Sequence, residues 1–116
     1  MDLIEPHGGE LINRVLRGDA RESALGKTKH LKKLCLSSTS ISDLELIAVG
    51  AFSPLTGFMN QADYESVVEN MRLANGLVWS IPITLPVSND FALAVKLGEE
   101  IVLTTEDDFP VGLLTI

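Results

Sequence analysis

The stretch SDLELIAVGAFSPLTGFMNQADYESVVENMRLANGLVWSIPITLP, from Ser42 to Pro86, carries the densest set of structural signals in this chain. Its first four residues, Ser42-Asp-Leu-Glu45, form a capping box, in which a hydroxyl and a carboxylate satisfy the first N–H groups of a helix. We therefore predict a helix from Ser42 to about Val49 that stops at Gly50, because glycine readily adopts the left-handed conformation found at helix ends.

A turn and a second helix are predicted next. The residues 53–57, Ser-Pro-Leu-Thr-Gly, are typical of a turn in which proline presets φ and Gly57 supplies a positive φ. Asn60 is a helix cap, and the helix should run from Gln61 to about Leu73. Four apolar residues recur at helical spacing and predict its buried stripe: Tyr64, Val67, Val68 and Met71.

Short strands are predicted on both sides of this stretch. A helix over Ala20–Gly26, capped by Asp19, is expected among them. Pro82 and Pro86 cannot donate to a sheet, so they indicate edges or bulges in a bent sheet. The predicted strands cover residues 10–17, 34–36, 77–87, 92–97, 101–105 and 111–116. This pattern predicts an α+β fold with a partly closed barrel of short strands and two or three inserted helices.

Composition and charge limit the classes of function. The net charge is −7, but residues 1–34 carry five acidic and seven basic residues, whereas residues 35–116 carry eleven acidic and two basic ones. An acidic chain repels nucleic-acid phosphates, so any anion site is expected in the first third. No apolar run approaches the 20 residues of a membrane span. The acidic start, Met1–Pro6, is unlike a signal peptide, and one cysteine, Cys35, is typical of a cytoplasmic protein.

Two basic motifs could bind phosphate. Gly26-Lys27-Thr28 resembles the end of a P-loop, but Arg21 stands where that motif needs glycine, and the segment closes a predicted helix instead of opening one. We interpret it as a helix C-terminus. The run Lys27–Lys33 could contact RNA, but no aromatic residue for base stacking lies between Met1 and Phe52, so a solvated or partner-facing surface is favoured.

The remaining candidates favour structural roles. His7, His30 and Cys35 lack the spacing of zinc ligands, and Ser53 is outside a G-x-S-x-G nucleophile motif. The acidic residues 106–108 are interpreted as a solvated turn. Six large apolar residues are interpreted as core: Phe52, Phe58, Met59, Met71, Trp79 and Phe91. We therefore expect no catalytic, cofactor-binding or metal-binding residue in this chain.

The same central stretch resembles a known family. The segments Phe52-Ser-Pro-Leu-Thr-Gly-Phe58, Met71-Arg-Leu73 and Trp79-Ser-Ile-Pro-Ile83, together with the upstream Pro6-His-Gly-Gly-Glu-Leu11, resemble the amino-terminal domain of the ATP sulfurylases, or sulfate adenylyltransferases. That resemblance implies a PUA-like pseudobarrel of mostly antiparallel strands. It also implies a homo-oligomeric parent nucleotidyltransferase that joins sulfate to ATP in sulfate assimilation, giving adenosine 5′-phosphosulfate and pyrophosphate with the help of Mg²⁺.

The resemblance places the chemistry outside this chain. In the family, the catalytic groups come from a Q-x-R-N segment, an H-x-x-H pair and a G-R-D segment, none of which occurs here. It implies that residues 1–116 are the amino-terminal PUA-like domain, truncated at its C-terminal end, whose partner is the missing catalytic domain. ATP and Mg²⁺ would then belong to the parent alone.

Two functions stay open at this point. One is the accessory domain of a sulfate adenylyltransferase, whose parent could also phosphorylate its product. The other is a free-standing PUA-like module that binds RNA or a metabolite.

Overall fold

The structure is a computed structural model that describes residues 3–116, and it has the predicted α+β architecture. The first two residues of the acidic start, Met1 and Asp2, lie outside the described residues. The chain divides into two compact units. The first comprises Met1–Arg14 and Asp43–Pro86, and the second comprises Val15–Ser42 and Val87–Ile116. We call them unit 1 and unit 2.

Four α-helices, one 3₁₀ turn and three strands are found in the described part of the chain. The helices are α1 (Gly18–Lys27), α2 (Ser38–Ala48), α3 (Gln61–Asn70) and α4 (Asn89–Ala94), and the 3₁₀ turn spans Thr28–His30. The strands are β1 (Lys33–Cys35), β2 (Glu100–Thr104) and β3 (Pro110–Thr115). The sequence therefore predicted α1 and all three strands to within about two residues.

The three strands form one mixed sheet in the order β1-β2-β3. β1 runs parallel to β2, with Leu34 opposite Leu103, and β3 runs antiparallel to β2, with Leu113 opposite Val102. Ile101 to Leu103 of β2 are almost completely buried. A strand with paired neighbours on both edges and apolar residues on both faces belongs at the centre of a core, and β2 is the core of unit 2.

The core of unit 1 is a cluster of five buried aliphatic side chains: Ile47, Leu55, Val67, Leu73 and Ile83. Five half-buried side chains pack against it: Phe52, Phe58, Met59, Leu77 and Trp79. These residues come from α2, the turn after it, α3 and the irregular segment beyond α3. The central stretch therefore folds on itself around one hydrophobic centre.

The helix predicted from Ser42 begins earlier. α2 starts at Ser38, and Ser42 is its fifth residue. The side chain of Ser37 accepts a hydrogen bond from the backbone N–H of Ser40 at 3.2 Å, which is the geometry of an N-cap. The prediction of a capping box at Ser42 was wrong, because the serine-rich run before it provides an earlier cap. The end of α2 agrees with the prediction, since Gly50 has a φ of +91°.

The buried stripe predicted for α3 is also wrong. Only Val67 is buried, with 2% of its surface exposed, whereas Tyr64, Val68 and Met71 are 44%, 58% and 54% exposed. The turn after the helix decides which face is inward: the carboxylate of Asp63 accepts a hydrogen bond from the N–H of Ala74 at 2.8 Å. α3 also ends at Asn70, because Met71 adopts a left-handed φ of 54°. The cap at Asn60 is confirmed, since its side chain accepts from Asp63 N.

Three predicted strands do not form. In residues 10–17, the N–H of Ile12 bonds to the hydroxyl of Ser53 and that of Arg14 to the carbonyl of Ala48, so these donors are used outside a sheet. Residues 77–87 make only one isolated bridge, between Arg72 and Val78, and their two prolines remove further donors.

The third predicted strand that does not form is residues 92–97. Its first half, residues 92–94, lies instead in α4, because the Ser88 hydroxyl caps that helix by accepting from Phe91 N at 3.1 Å. The Asn89-Asp90 pair therefore opens a helix.

The turn after α2 is a tight corner between Gly50 and Leu55. It contains a cis Ser53–Pro54 peptide bond, and Gly57 does not adopt the positive φ predicted for it. Gly50 is required here for a second reason: a Cβ atom at this position would lie 2.5 Å from the carbonyl oxygen of Ile12. The corner therefore brings residues 11–12 against the backbone after α2.

We expect Val67→Ala to lower the free energy of unfolding by about 1.5–3 kcal/mol, because it removes fully buried methyl groups. Val68→Ala, the neighbouring residue on the exposed side of α3, should change it by less than about 0.5 kcal/mol. Urea unfolding followed by circular dichroism measures both. Equal effects of the two substitutions would contradict the inward face assigned to α3.

Candidate functional site

The basic run Lys27–Lys33 was the strongest candidate for an anion site, and the fold pairs most of its lysines with carboxylates. Lys27 lies 3.6 Å from Glu100, and Lys32 lies 3.3 Å from Glu99. Lys33 contacts Asp108 at 2.7 Å, and the ammonium of Lys32 also donates to the carbonyl of Ala94. The basic third and the acidic end of the sequence therefore meet in unit 2. Their separation in sequence gives no signal of this compensation.

The net charge of unit 2 reflects this pairing. Residues 15–42 and 87–116 together hold eight acidic and seven basic residues, a net charge of −1. Binding of phosphate or sulfate oxygens draws on uncompensated positive charge. The paired lysines supply less attraction for an anion than the sequence of residues 27–33 suggests by itself.

The P-loop-like segment has the structure of a helix end, as the sequence analysis concluded. Lys27 is the last residue of α1, and Thr28 opens a 3₁₀ turn. The Thr28 hydroxyl donates to the carbonyl of Leu25 at 2.7 Å, so it is used within the helix terminus. A P-loop needs the opposite order, with a strand before the glycines and a helix after the lysine.

The histidines and the cysteine lie in structural surroundings. The Nε2 atom of His7 is 2.7 Å from the carbonyl oxygen of Val78, and its ring centre is 5.9 Å from that of Trp79. His30 ends the 3₁₀ turn of unit 2, and Cys35 ends β1 as an exposed free thiol. Within residues 3–116, no three His, Cys, Asp or Glu side chains converge in a way that could hold a metal ion.

Three of the six aromatic residues, Phe52, Phe58 and Trp79, belong to the core of unit 1, as predicted for them. Phe52 and Trp79 pack edge to face with ring centres 6.0 Å apart, and the indole N–H donates to the carbonyl of Ile81 at 2.8 Å. Phe58 and Met59 pack against the same cluster. The prediction was wrong for Met71, which is more than half exposed, while Phe91 is half-buried in α4.

Ser53 is the most constrained polar residue of unit 1. Its buried hydroxyl accepts a hydrogen bond from the N–H of Ile12 at 2.9 Å and donates one to the carbonyl of Gly50 at 2.7 Å. The hydroxyl therefore links two backbone segments of unit 1. Its bond to residue 12 had no signal in the sequence.

A shallow cleft of about 360 Å³ lies beside this corner. It is lined by Gly8, Pro54, Asn75, Gly76 and Leu77. The side-chain oxygen of Asn75 already accepts from the N–H of Leu77 at 2.9 Å. The lining contains no group that titrates near neutral pH and no positive charge. Acid–base or phosphoryl-type chemistry has no reacting group in this cleft.

The acidic residues 106–108 form a turn, as predicted, between β2 and β3. Asp108 adopts a left-handed φ of 64°, and its N–H bonds to the carbonyl of Thr105 at 3.0 Å. Its carboxylate is engaged by Lys33. The described helices are all too short or too polar to cross a membrane.

Comparison with known proteins identifies the family. A family model for the PUA-like domain matches residues 4–116, and the chain belongs to this family. The chain is 48% identical over 115 residues to the sulfate adenylyltransferase of Synechococcus sp. (strain JA-3-3Ab), and 55% identical over 100 residues to that of Symbiobacterium thermophilum. These matches cover 99% and 86% of this chain, so the resemblance to sulfate adenylyltransferases is confirmed.

The chain spans only 29% and 25% of the length of these two relatives. This chain also matches a similarly small part of a solved structure described as a hexameric APS kinase from Thiobacillus denitrificans. It superimposes with a TM-score of 0.89 and 33% identity, over 98% of this chain and 23% of that one. The α+β, PUA-like fold predicted from the sequence is thereby confirmed.

Removal of the Ser53 hydroxyl should destabilise the chain. We expect Ser53→Ala to lower the free energy of unfolding by about 1–3 kcal/mol, because the Ile12 N–H and the Gly50 carbonyl lose a buried partner. The exposed Thr56→Ala is the matched control and should stay within about 0.5 kcal/mol. Thermal and urea unfolding measure both. A Ser53→Ala protein as stable as the control would refute the structural role of this hydroxyl.

RNA should bind weakly, with a dissociation constant above about 1 µM in filter binding at low salt. The reason is that carboxylates compensate the lysines of the basic run. The triple variant Glu99→Gln, Glu100→Gln, Asp108→Asn uncovers three lysines and should bind several-fold tighter, with a steeper dependence on salt. Sub-micromolar binding by the unaltered chain would show that the pairs do not limit anion binding.

Proposed function

We propose that this chain is the accessory, amino-terminal PUA-like portion of a sulfate adenylyltransferase, and that the parent's catalytic groups lie outside these 116 residues. The observation that carries the proposal is the extent of the match. Nearly the whole chain aligns at about half identity with sulfate adenylyltransferases, while it spans a quarter to three tenths of their length. The chain is therefore equivalent to one portion of such a protein.

The chemistry of the parent supports this division of roles. Joining sulfate to ATP, to give adenosine 5′-phosphosulfate and pyrophosphate, needs positive charge placed around the phosphate and sulfate oxygens. In unit 2 the candidate lysines are paired with carboxylates, and in unit 1 the cleft beside Pro54 is lined by uncharged residues. We assign the chain a scaffold role in the parent, with no catalytic and no ATP-binding residue.

The parent is expected to use Mg²⁺ as well. That ion is usually held by one or two carboxylates together with the phosphates of its substrate. Here the turn carboxylate of Asp108 is paired with Lys33, and no phosphate cradle accompanies it. We propose that ATP and Mg²⁺ bind elsewhere in the parent, and we derive no step through either.

The assembly and location of the parent are further parts of the proposal. The similarity to a structure described as a hexameric APS kinase supports a homo-oligomeric parent. It also keeps open a parent that phosphorylates its own product. A cytoplasmic location stays a prediction, made from the sequence with its single cysteine. The alternative of a free-standing module for RNA or a metabolite is weakened by the paired lysines of unit 2.

The direct test of the scaffold role is activity of the isolated chain. Purified residues 1–116 should release no pyrophosphate above background in the presence of ATP, Mg²⁺ and sulfate, and calorimetry should detect no tight ATP binding. The full-length Synechococcus sp. enzyme is the positive control. Turnover by the 116 residues alone would overturn the placement of the active site outside them.

A chimera tests the other half of the proposal. In the Synechococcus sp. enzyme, the aligned segment would be replaced by this chain, with deletion of the segment as the matched control. The chimera should keep its kcat/KM within about tenfold of the natural enzyme, a change of about 1.4 kcal/mol, because the two segments are equivalent portions. A folded chimera as inactive as the deletion would contradict that equivalence.

A further inference from the structure

The outward face of α3 has no partner within unit 1. Tyr64 and Val68 lie one helical turn apart on this face, and Met71 follows at the end of the helix. Their exposed fractions are 44%, 58% and 54%, whereas Val67 points into the core. We call Tyr64, Val68 and Met71 the α3 face. Apolar side chains grouped on one helix face are typical of a contact surface, whereas single exposed ones need no explanation.

Acidic residues border the α3 face on one side. Glu65 and Glu69 are exposed and stand one turn apart, about 60° and about 100° around the helix from Val68. The amide of Gln61 donates to Glu65 at 2.9 Å and keeps this carboxylate beside the face. Like charges at this spacing repel each other, and a glutamate in the last helical turn opposes the helix dipole. A cation placed between the two carboxylates would relieve both effects.

The rest of unit 1 does not supply that cation. Its two stretches hold eight acidic and two basic residues, a net charge of −6. Arg72 is the basic residue nearest in sequence, and its guanidinium donates to the carbonyl of Met71 at 3.2 Å. The electrostatic field of unit 1 therefore selects a basic partner.

A second copy of the chain is a poor occupant of the same face. Two copies would bring together two units that each carry a net charge of −6, with Glu65 and Glu69 of both copies on the contact. Three half-exposed side chains also give far less area than the roughly 800 Å² per partner of a stable dimer. The face suits a short segment held by apolar contacts and by opposite charge.

We infer that the α3 face is a docking surface for a helical polypeptide segment whose apolar stripe is flanked by lysine or arginine. The apolar side chains of the segment pack on Val68 and Met71. Its cations contact Glu65 and Glu69. This is the helix-on-helix mode of peptide recognition, in which residues three and four apart provide the anchors.

The probe is a designed helical peptide of about 18 residues with a leucine stripe flanked by lysines, and the control peptide carries glutamates in their place. Each is titrated into ¹⁵N-labelled residues 1–116. The lysine peptide should shift the amide signals of α3 and bind with a dissociation constant on the order of 10–100 µM. It should weaken as salt is added, and the glutamate peptide should bind at least about tenfold more weakly.

Matched variants test the site. Val68→Asp should weaken binding of the lysine peptide at least about tenfold, whereas Val49→Asp, at a position equally exposed in unit 1, should leave it unchanged. Glu65→Gln with Glu69→Gln preserves side-chain size and should remove most of the salt dependence. This double variant also tests the site if Val68→Asp perturbs the fold.

Three results would overturn the inference: equal binding of the two peptides, signal shifts away from α3, or equal weakening by Val49→Asp and Val68→Asp. Light scattering of the unaltered chain and of Val68→Asp completes the test. A dimer that only Val68→Asp dissociates would assign the α3 face to a second copy and reject a basic partner.

Discussion

The buried hydroxyl of Ser53 is the interaction on which unit 1 depends. It joins the N–H of Ile12 to the carbonyl of Gly50, two backbone groups that are 38 residues apart in sequence. The Gly50 carbonyl also accepts from the backbone N–H of Ser53 at 3.1 Å, whereas the Ile12 N–H relies on the hydroxyl, and a buried polar group without a hydrogen bond is costly. Because Gly50 lacks a Cβ atom, residue 12 can approach closely enough for the bond to form. The corner then presents Phe52 and Leu55 to the core.

Unit 2 depends on its buried central strand, β2, in a similar way. The ion pairs on the surface of unit 2 explain why its basic run is a weaker anion site than the sequence suggests. The start of β2 brings Glu99 and Glu100 close to Lys32 and to Lys27, the last residue of α1, so that a run which is strongly basic in sequence is compensated in the fold. The opposite holds for unit 1, where few basic residues offset the acidic ones. A chain whose charge is either paired or negative attracts basic partners more readily than anions. It is poorly suited to holding phosphate and sulfate.

Local sequence signals were reliable where one residue decides a local hydrogen bond. Asn60 caps α3 as predicted, and the apolar run from residue 101 forms a central strand. The same signals failed where two local solutions compete. Ser37 caps α2, so this helix begins before Ser42. The hydroxyl of Ser88 caps α4, so an apolar segment predicted as a strand begins in a helix. Capping is worth about 1 kcal/mol, enough to choose between such alternatives and too little to read from spacing alone.

The amino-acid sequence by itself determined the family and the α+β class, because these follow from residue identity along the chain. It also determined which aromatic residues suit a core. Only the tertiary structure decided that Val67 faces inward while Val68 faces outward, and that Lys33 meets Asp108 across 75 positions of sequence. The physical reason is that helix rotation and charge pairing are set by distant contacts, such as that of Asp63 with Ala74. A periodic pattern records that a helix has an apolar side, but the packing of the surrounding chain selects the side that is buried.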